Sequence, residues 1–331
     1  MRILILGGTV FLGRHLTAAA LAKGHEVTLF TRGQHNPDIF PEARKVRGDR
    51  KKGEDVAALA ESGDWDAVLD TCGYLPGDVR RSAGALAGRA PLYCFVSTVS
   101  VYADRQGQDA PMDEASPLAP PPDDPETDQV TGETYGPLKV LCEQAAEEAF
   151  PGRTLVIRPG LIVGPHDPSD RFTYWPHRVA RGGDILAPDG PAMPTQFIDV
   201  RDLAEWNLRL LEQGVAGVYN ADGPLIPLND VLDSCQRAVG APATITYVSE
   251  SFLQEQEVQP WMELPLWIPA EHRGPGFDSG KAVRDGLTYR DLDTTVRDTL
   301  AWDAARPQEN AWRHALKPEK EAAVLAAWRA R

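Results

Sequence analysis

Cysteine is scarce in this chain: four in 331 residues, at Cys72, Cys94, Cys142 and Cys235. They are scattered and show no metal-ligand spacing, so no metal site is expected. Cys94 lies in an apolar stretch and reads as a free buried thiol. No apolar run approaches the ~20 residues of a membrane span, which excludes a transmembrane helix and leaves no membrane partner expected. Positive charge is also in deficit. The net charge of −14 gives no electrostatic footprint for nucleic acid or an anionic surface. No internal repeat is visible. Met1 runs at once into a stretch that reads as a core strand, so a signal peptide is not expected and the cytoplasm is the expected location. What is present is ordinary for a globular protein: 42% hydrophobic and 25% charged residues. The length is enough for a sizeable core and about two domains.

Against that background one stretch carries chemistry, Tyr135-Gly-Pro-Leu-Lys139. Tyr and Lys four apart share a face if the segment is helical. Pro137 fits such a helix only in its first turn, where the missing N–H costs nothing. The following residues to Phe150 are helix formers with an apolar stripe. A Tyr hydroxyl titrates near ~10 in water. A cation one turn away favours the phenolate and brings the hydroxyl towards use as an acid or base at neutral pH. By itself the spacing also arises by chance.

Around it the chain alternates strands and helices. Arg2–Leu6 reads as a strand buried on both faces, followed by Gly7-Gly8-Thr-Val-Phe-Leu-Gly13 and a helix that stops at Gly24. The usual G-x-G-x-x-G is absent, and Val10 stands where a middle glycine is expected. The stretch is either a purely structural turn or a dinucleotide cradle, with the helix N-terminus holding a pyrophosphate. In the second case Gly7, Gly8, Thr9, Phe11, Leu12 and Gly13 line it. The second strand, from His25, ends at Thr31 and Arg32. Folds that prefer NAD place an acid there, on the ribose 2′-hydroxyl. With no carboxylate to repel a 2′-phosphate and an arginine to pair with it, the expectation leans to NADP over NAD. A solvent-facing Arg32 is the plainer alternative.

Further strands are expected at Lys45–Asp49, Trp65–Gly73, Leu92–Tyr102 and Thr154–Gly164, with helices at Asp55–Glu61 and Asp78–Leu86. This alternation predicts an α/β fold with a doubly wound parallel sheet. Ligands bind such sheets at the C-terminal strand ends, which brings Asp49, Cys72, Tyr74 and Thr98 into consideration. Ala110–Pro125, rich in Pro and Asp, reads as a surface loop. His166–Pro176 mixes polar and aromatic residues, as a pocket wall does, and supplies Arg171, Tyr174 and Trp175 as substrate candidates. Its His and Asp residues read as loop hydrogen-bonding groups rather than metal ligands. A helix is expected to begin within Gln196–Ala204, and Gly217–Asp222 returns as a strand. Beyond residue 224 the character changes, with a helix at Pro227–Val239, a strand at Ala243–Val248 and terminal helices at Asp291–Trp302 and Glu319–Arg329. Trp261 and Trp267 either pack a small core or, as taken up for Trp267, line a substrate pocket.

The glycine turn, Thr98, Tyr135-x3-Lys139 and this layout together resemble the short-chain dehydrogenase/reductase superfamily, in its extended and atypical NAD-dependent epimerase/dehydratase-like branch. The resemblance is strong to about residue 224. It implies a Rossmann-like sheet with a smaller, mixed C-terminal substrate domain. Ser97-Thr98-Val-Ser-Val-Tyr102 is similar to that branch's strand-five signature, which makes Thr98 the catalytic hydroxyl beside Tyr135 and Lys139. It also implies that Lys139 holds the nicotinamide ribose. Gly7-Gly8-Thr-Val-Phe-Leu-Gly13 is similar to the GGxxxxG variant of atypical members, variously labelled reductases, sugar epimerases or RNA-binding proteins.

The dinucleotide-binding domain is expected to take 1–165 and about 196–224, and the substrate domain about 166–195 and 225–331. Two features depart from the family pattern. Thr71-Cys-Gly-Tyr74 stands where many members carry an Asn, and Thr195 stands where epimerases place a diphosphate-gripping Arg. Arg171, Arg178 or Arg273 would have to substitute for that anchor. The first expectation is therefore an NAD(P)-dependent oxidoreductase acting on a carbonyl or alcohol of a small non-nucleotide substrate. A nucleotide-sugar epimerase or dehydratase with tightly held NAD comes second, and a non-catalytic RNA-binding or regulatory protein third. The sequence leaves the oligomeric state open, a homodimer included.

Overall fold

The computed structural model describes residues 1–103, 109–190, 193–240, 243–307 and 312–331. They form two compact units. The first comprises Met1–Gly160, Val200–Asp222 and Pro275–Thr288; the second comprises Leu161–Asp199, Gly223–Gly274 and Tyr289–Arg331.

The first unit begins with β1 (Arg2–Leu6), α1 (Phe11–Ala22), β2 (Glu26–Thr31), β3 (Arg44–Arg47) and α2 (Gly53–Glu61). It continues with β4 (Ala67–Asp70), α3 (Pro76–Leu86), β5 (Tyr93–Val96), α4 (Tyr135–Ala149) and β6 (Thr154–Pro159). Ile3 to Leu6 are wholly buried because β1 pairs in parallel with β2 on one side and β4 on the other. That is the reason the strand reads as unbroken apolar sequence. The fifth strand is shorter than its apolar stretch. Thr98 accepts a hydrogen bond from Ser100 N and caps a 3-10 turn at Val99–Val101, so the chain leaves the sheet after Val96.

The second unit then contributes β7 (Ile162–Val163), α5 (Tyr174–Ala180), β8 (Gly183–Pro188), β9 (Pro194–Thr195) and β10 (Ile198–Asp199). The chain returns to the first unit for α6 (Val200–Glu212) and β11 (Gly217–Ala221). It runs again through the second for β12 (Ile226–Pro227), α7 (Leu228–Val239), β13 (Ala243–Val248) and α8 (Glu250–Glu255). The short α9 (Gly280–Arg284) belongs to the first unit, and α10 (Leu292–Ala305) and α11 (Pro318–Arg329) to the second.

In the first unit seven parallel strands lie in the order β11-β6-β5-β4-β1-β2-β3. Helix α1 packs with α6, while α3 packs with both α2 and α4, as a doubly wound sheet requires. The order reverses between β1 and β4, and the crevice at their C-terminal ends is where such sheets take ligands. Segment 275–288, expected in the C-terminal domain, instead covers the edge strand β11. Lys281 Nζ donates to the Val218 carbonyl at 2.6 Å, and Tyr219 Oη to Asp285 at 2.8 Å. An uncovered edge strand would leave its backbone groups open to foreign pairing.

In the second unit β8 and β13 pair in parallel, α11 packs on β8, and α5, α7 and α10 pack on one another. Its core contains Phe172, Trp175, Phe252 and Trp267, all under 2% exposed. Among the described residues no helix is long and apolar enough to cross a membrane.

Candidate functional site

The glycine turn lies at the strand-order reversal. Gly7 and Gly8 adopt φ of 103° and 93°, a region that glycine alone enters at little cost. A Cβ on Gly13 would fall 2.7 Å from Gly8 N, so the opening of α1 presses directly on the turn. Thr17 Oγ1 donates to the carbonyls of Gly8 (3.0 Å) and Gly13 (2.8 Å) and fixes that contact. Thr71 Oγ1 donates to Leu6 O at 2.9 Å and closes the turn from the β4 side. Such a side-chain-free surface at a helix start is what a pyrophosphate needs, and the residues present fit a dinucleotide. Thr9 is buried, and its carbonyl accepts from Asn36 Nδ2 at 2.8 Å. Phe11 opens α1 at φ 37°, Leu12 points into the core, and Val10 is exposed.

β2 ends at Thr31, and Arg32 follows it, exposed. Asp49 follows β3; its carboxylate accepts from Lys51 N at 3.0 Å, and its N–H donates to Asp55 at 2.7 Å. Cys72 follows β4, and burial pushes its thiol up.

On the other side of the crevice α4 begins at Tyr135, with Pro137 in its first turn. Gly136 sits so close to the 3-10 turn that a Cβ there would fall 2.1 Å from the Ser100 carbonyl oxygen. That approach sets the Tyr135 end of the helix against the segment that starts at Thr98. Thr98 is 8% exposed, and its hydroxyl donates to Ser100 Oγ at 3.2 Å. Lys139, one turn on, is 3% exposed and donates to Val96 O (2.7 Å) and Gly73 O (2.8 Å). It thus ties the helix to β5 and to the loop after β4, with its ammonium 4.1 Å from the Phe95 ring centroid. Burial pulls Lys139 down to about 8 from 10.5. In Thr71–Tyr74 it is thus a backbone carbonyl, that of Gly73, that holds Lys139. Tyr74 is half exposed, and its ring centroid lies 6.4 Å from that of Tyr135. The structure therefore gathers Thr98, Tyr135, Lys139, Tyr74 and the glycine turn at one end of one sheet.

Two buried charge networks beneath the site escape sequence reasoning. Arg50 grips Asp70 through both terminal nitrogens at 2.7 and 2.8 Å, and Tyr93 Oη donates to the same carboxylate at 2.8 Å. Burial alone would push Asp70 up; the guanidinium and the hydrogen bonds overcome it and hold the carboxyl below its ordinary value. An Asp that closes an apolar strand (Ala67-Val-Leu-Asp70) is the only local signal of it. In the second network Arg158 binds Glu143 at 3.0 and 2.6 Å and donates to Tyr102 Oη at 3.1 Å. Glu143 lies one turn beyond Lys139, so this pair anchors α4 to β6.

The remaining candidates belong to the second unit. Tyr174, Trp175 and Trp267 do not form a pocket wall as expected. They are core residues, at 3%, 0% and 0% exposure, with Trp175 Nε1 donating to Pro265 O at 2.8 Å. The acids of that stretch are already engaged: Asp167 binds Ser169 within a local turn, and Asp170 pairs with the distant Arg306 at 2.6 Å. Arg178 is buried against Glu321, and Arg273 pairs with Glu250, so neither is a spare phosphate anchor. Arg171 is half-buried, held by Ser169 Oγ at 2.9 Å and 5.7 Å from the Trp261 ring centroid. Among the described residues no group of three or more His, Cys, Asp or Glu side chains could hold a metal.

This fold and site define a class. Residues 3–87 and 84–221 match the NAD dependent epimerase/dehydratase family, and the chain belongs to that family. The chain is similar to the chloroplast stem-loop binding protein of 41 kDa b of Arabidopsis thaliana, 27% identical over 259 residues. That match covers 73% of this chain and 64% of the relative, so the chain spans a little under two thirds of that curated protein's length. Among solved structures it is similar to a putative epimerase from Burkholderia cenocepacia, with TM-score 0.71 and 22% identity, covering 92% of this chain and 98% of that one. It is likewise similar to the Thermus thermophilus UDP-glucose 4-epimerase in complex with NAD, with TM-score 0.67 and 17% identity, covering 93% and 100%. At these identities the structural likeness shows the fold.

Proposed function

We propose that the chain is an NAD(P)-dependent oxidoreductase of the short-chain dehydrogenase/reductase type, acting on a carbonyl or alcohol of a small non-nucleotide substrate. The observation that carries this reading is Lys139, a buried cation one helical turn beyond Tyr135, held by two backbone carbonyls at the end of the parallel sheet. Among the described residues no carboxylate pairs with it; a lysine buried in this way is costly, and such lysines gather where chemistry needs them. When bound, the nicotinamide supplies the hydride transfer. The protein's part is proton handling. Tyr135 gives its hydroxyl proton to the substrate oxygen in reduction, or takes one in oxidation. Thr98 turns its hydroxyl from Ser100 to that oxygen and holds the charge developing there. The Lys139 ammonium favours the Tyr135 phenolate and so keeps the proton mobile near neutral pH.

Gly7, Gly8, Thr9, Phe11, Leu12 and Gly13 would hold the pyrophosphate, Asp49 and Cys72 the adenosine and nicotinamide sides, and Thr31 with Arg32 would favour NADP over NAD. The four cysteines are free, in keeping with the reducing cytoplasm.

A second reading, a nucleotide-sugar epimerase or dehydratase, draws support from the family match. Against it, Thr195 replaces the diphosphate-gripping arginine and donates to the Ile226 carbonyl at 3.0 Å. A third reading, RNA binding, rests on the curated relative's name. The basic run Arg44–Lys52 is the segment that would serve it, with five cations left once Arg50 is spent on buried Asp70.

The cofactor retained by purified protein separates these readings. Denaturation and mass spectrometry should find little bound nucleotide, or NADP(H) that exchanges freely. Stoichiometric NAD that resists dialysis favours the epimerase. A protein that binds a structured RNA but no dinucleotide defeats both enzyme readings.

A further inference from the structure

We propose that Arg47 is the second arm of a cationic niche for the 2′-phosphate of NADP(H), acting with Arg32; this rests on the dinucleotide reading above. Strands β2 and β3 run in parallel with Thr31 directly opposite Arg47, and Arg32 follows Thr31 at once. The Arg47 guanidinium lies over Gly33, the residue after Arg32. Gly33 has φ 74°, and a Cβ there would fall 1.8 Å from Arg47 Nη1. Any other residue at 33 would displace that guanidinium. Among the described residues the Arg47 side chain makes one hydrogen bond, to the Pro37 carbonyl, long at 3.4 Å. Neither Arg32 nor Arg47 pairs with a carboxylate among the described residues. The neighbouring acid Asp49 is engaged with Lys51 N instead.

Both arginines thus stand at adjacent C-terminal strand ends with their charge uncompensated. One loop ties them to the glycine turn, because Asn36 Nδ2 in the same segment donates to Thr9 O at 2.8 Å. A phosphomonoester carries about −1.5 to −2 charges at neutral pH, and guanidinium forks match its oxygens two at a time. The site is local: the chain as a whole has a net charge of −14.

The test is equilibrium titration of the full chain with NADPH, NADH, 2′,5′-ADP and 5′-AMP, for the wild type, Arg47→Ala, Arg47→Lys and Arg32→Ala. The wild type should prefer the 2′-phosphorylated member of each pair. Arg47→Ala should weaken NADPH and 2′,5′-ADP by about ten- to hundredfold while leaving NADH and 5′-AMP unchanged. Arg47→Lys should recover part of the loss, as charge without the fork does. The proposal is overturned if Arg47→Ala leaves NADPH affinity intact or weakens NADPH and NADH by one factor. If Arg32→Ala alone lowers NADPH affinity, the NADP reading stands and the Arg47 arm falls. If no dinucleotide binds the wild type, both fall together.

Discussion

Lys139 decides what Tyr135 can do. Its burial between Val96 O and Gly73 O lowers it to about 8, so the folded protein releases a proton there that the unfolded chain keeps up to about 10.5. In that window the unfolded state binds more protons, and stability from this group rises with pH. The charge costs most below about 8, and the cost fades as pH approaches 10.5. Denaturant unfolding of the wild type and Lys139→Met across this window checks it: the wild type should gain on the variant as pH rises. A constant difference would contradict the assignment. Buried Tyr93 and Cys94, both pushed up by burial, slope the other way but equally in both proteins.

For turnover, Tyr135→Phe should cost about 10²–10⁴-fold with cofactor affinity retained. Thr98→Val should cost about 10²–10³-fold. The double variant should lose far less than the product of the two, because both act on one oxygen. A multiplicative loss would place them on separate steps. The pairing of Tyr135 with Lys139 was proposed from residue type and a four-residue spacing, and Thr98 only from its likeness to a family signature. Arg50, Asp70 and Tyr93 were not, because their union depends on strand order, which no local pattern encodes.

Helix α4 is the element that turns the spacing into a site. Gly136 lets its first turn touch the Ser100 carbonyl, and the Arg158–Glu143 pair holds the following turn to β6. Gly136→Ala should therefore disrupt the site although alanine is the better helix former. Gly84→Ala, in α3 with nothing within 4 Å of the added methyl, should stabilise by about 0.5–1 kcal/mol. Thermal unfolding of both, with turnover or dinucleotide affinity alongside, separates propensity from packing. Equal gains would show that the close approach at Gly136 does not constrain the helix. Glu143→Leu leaves the Arg158 guanidinium buried without its carboxylate and should cost about 3–5 kcal/mol.

Strands and helices of the first unit were readable because burial on both faces writes unbroken apolar runs and helices write amphipathic ones. The stretch 166–176 was misread as a pocket wall. Its aromatic residues belong to a core, Asp167 to a local turn and Asp170 to a long-range pair with Arg306, and these uses interleave within eleven positions.

At the scale of the whole molecule, the chain passes between its two units at 160/161, 199/200, 222/223, 274/275 and 288/289. The first return supplies both α6 and β11. The second brings 275–288 to cover β11, a role with no sequence signature of its own. What the sequence pattern could carry was the parallel sheet and its reversal point. The account's central claim is that this point, lined by Gly7, Gly8 and Gly13, is a dinucleotide site serving Tyr135. Titration of the intact chain with NAD(H) and NADP(H) by calorimetry, alongside a Gly13→Val variant, tests it most directly. The account predicts saturable one-to-one binding of at least one dinucleotide, lost in Gly13→Val while the fold survives by circular dichroism. Failure of all four to bind the wild type at millimolar concentration would contradict it.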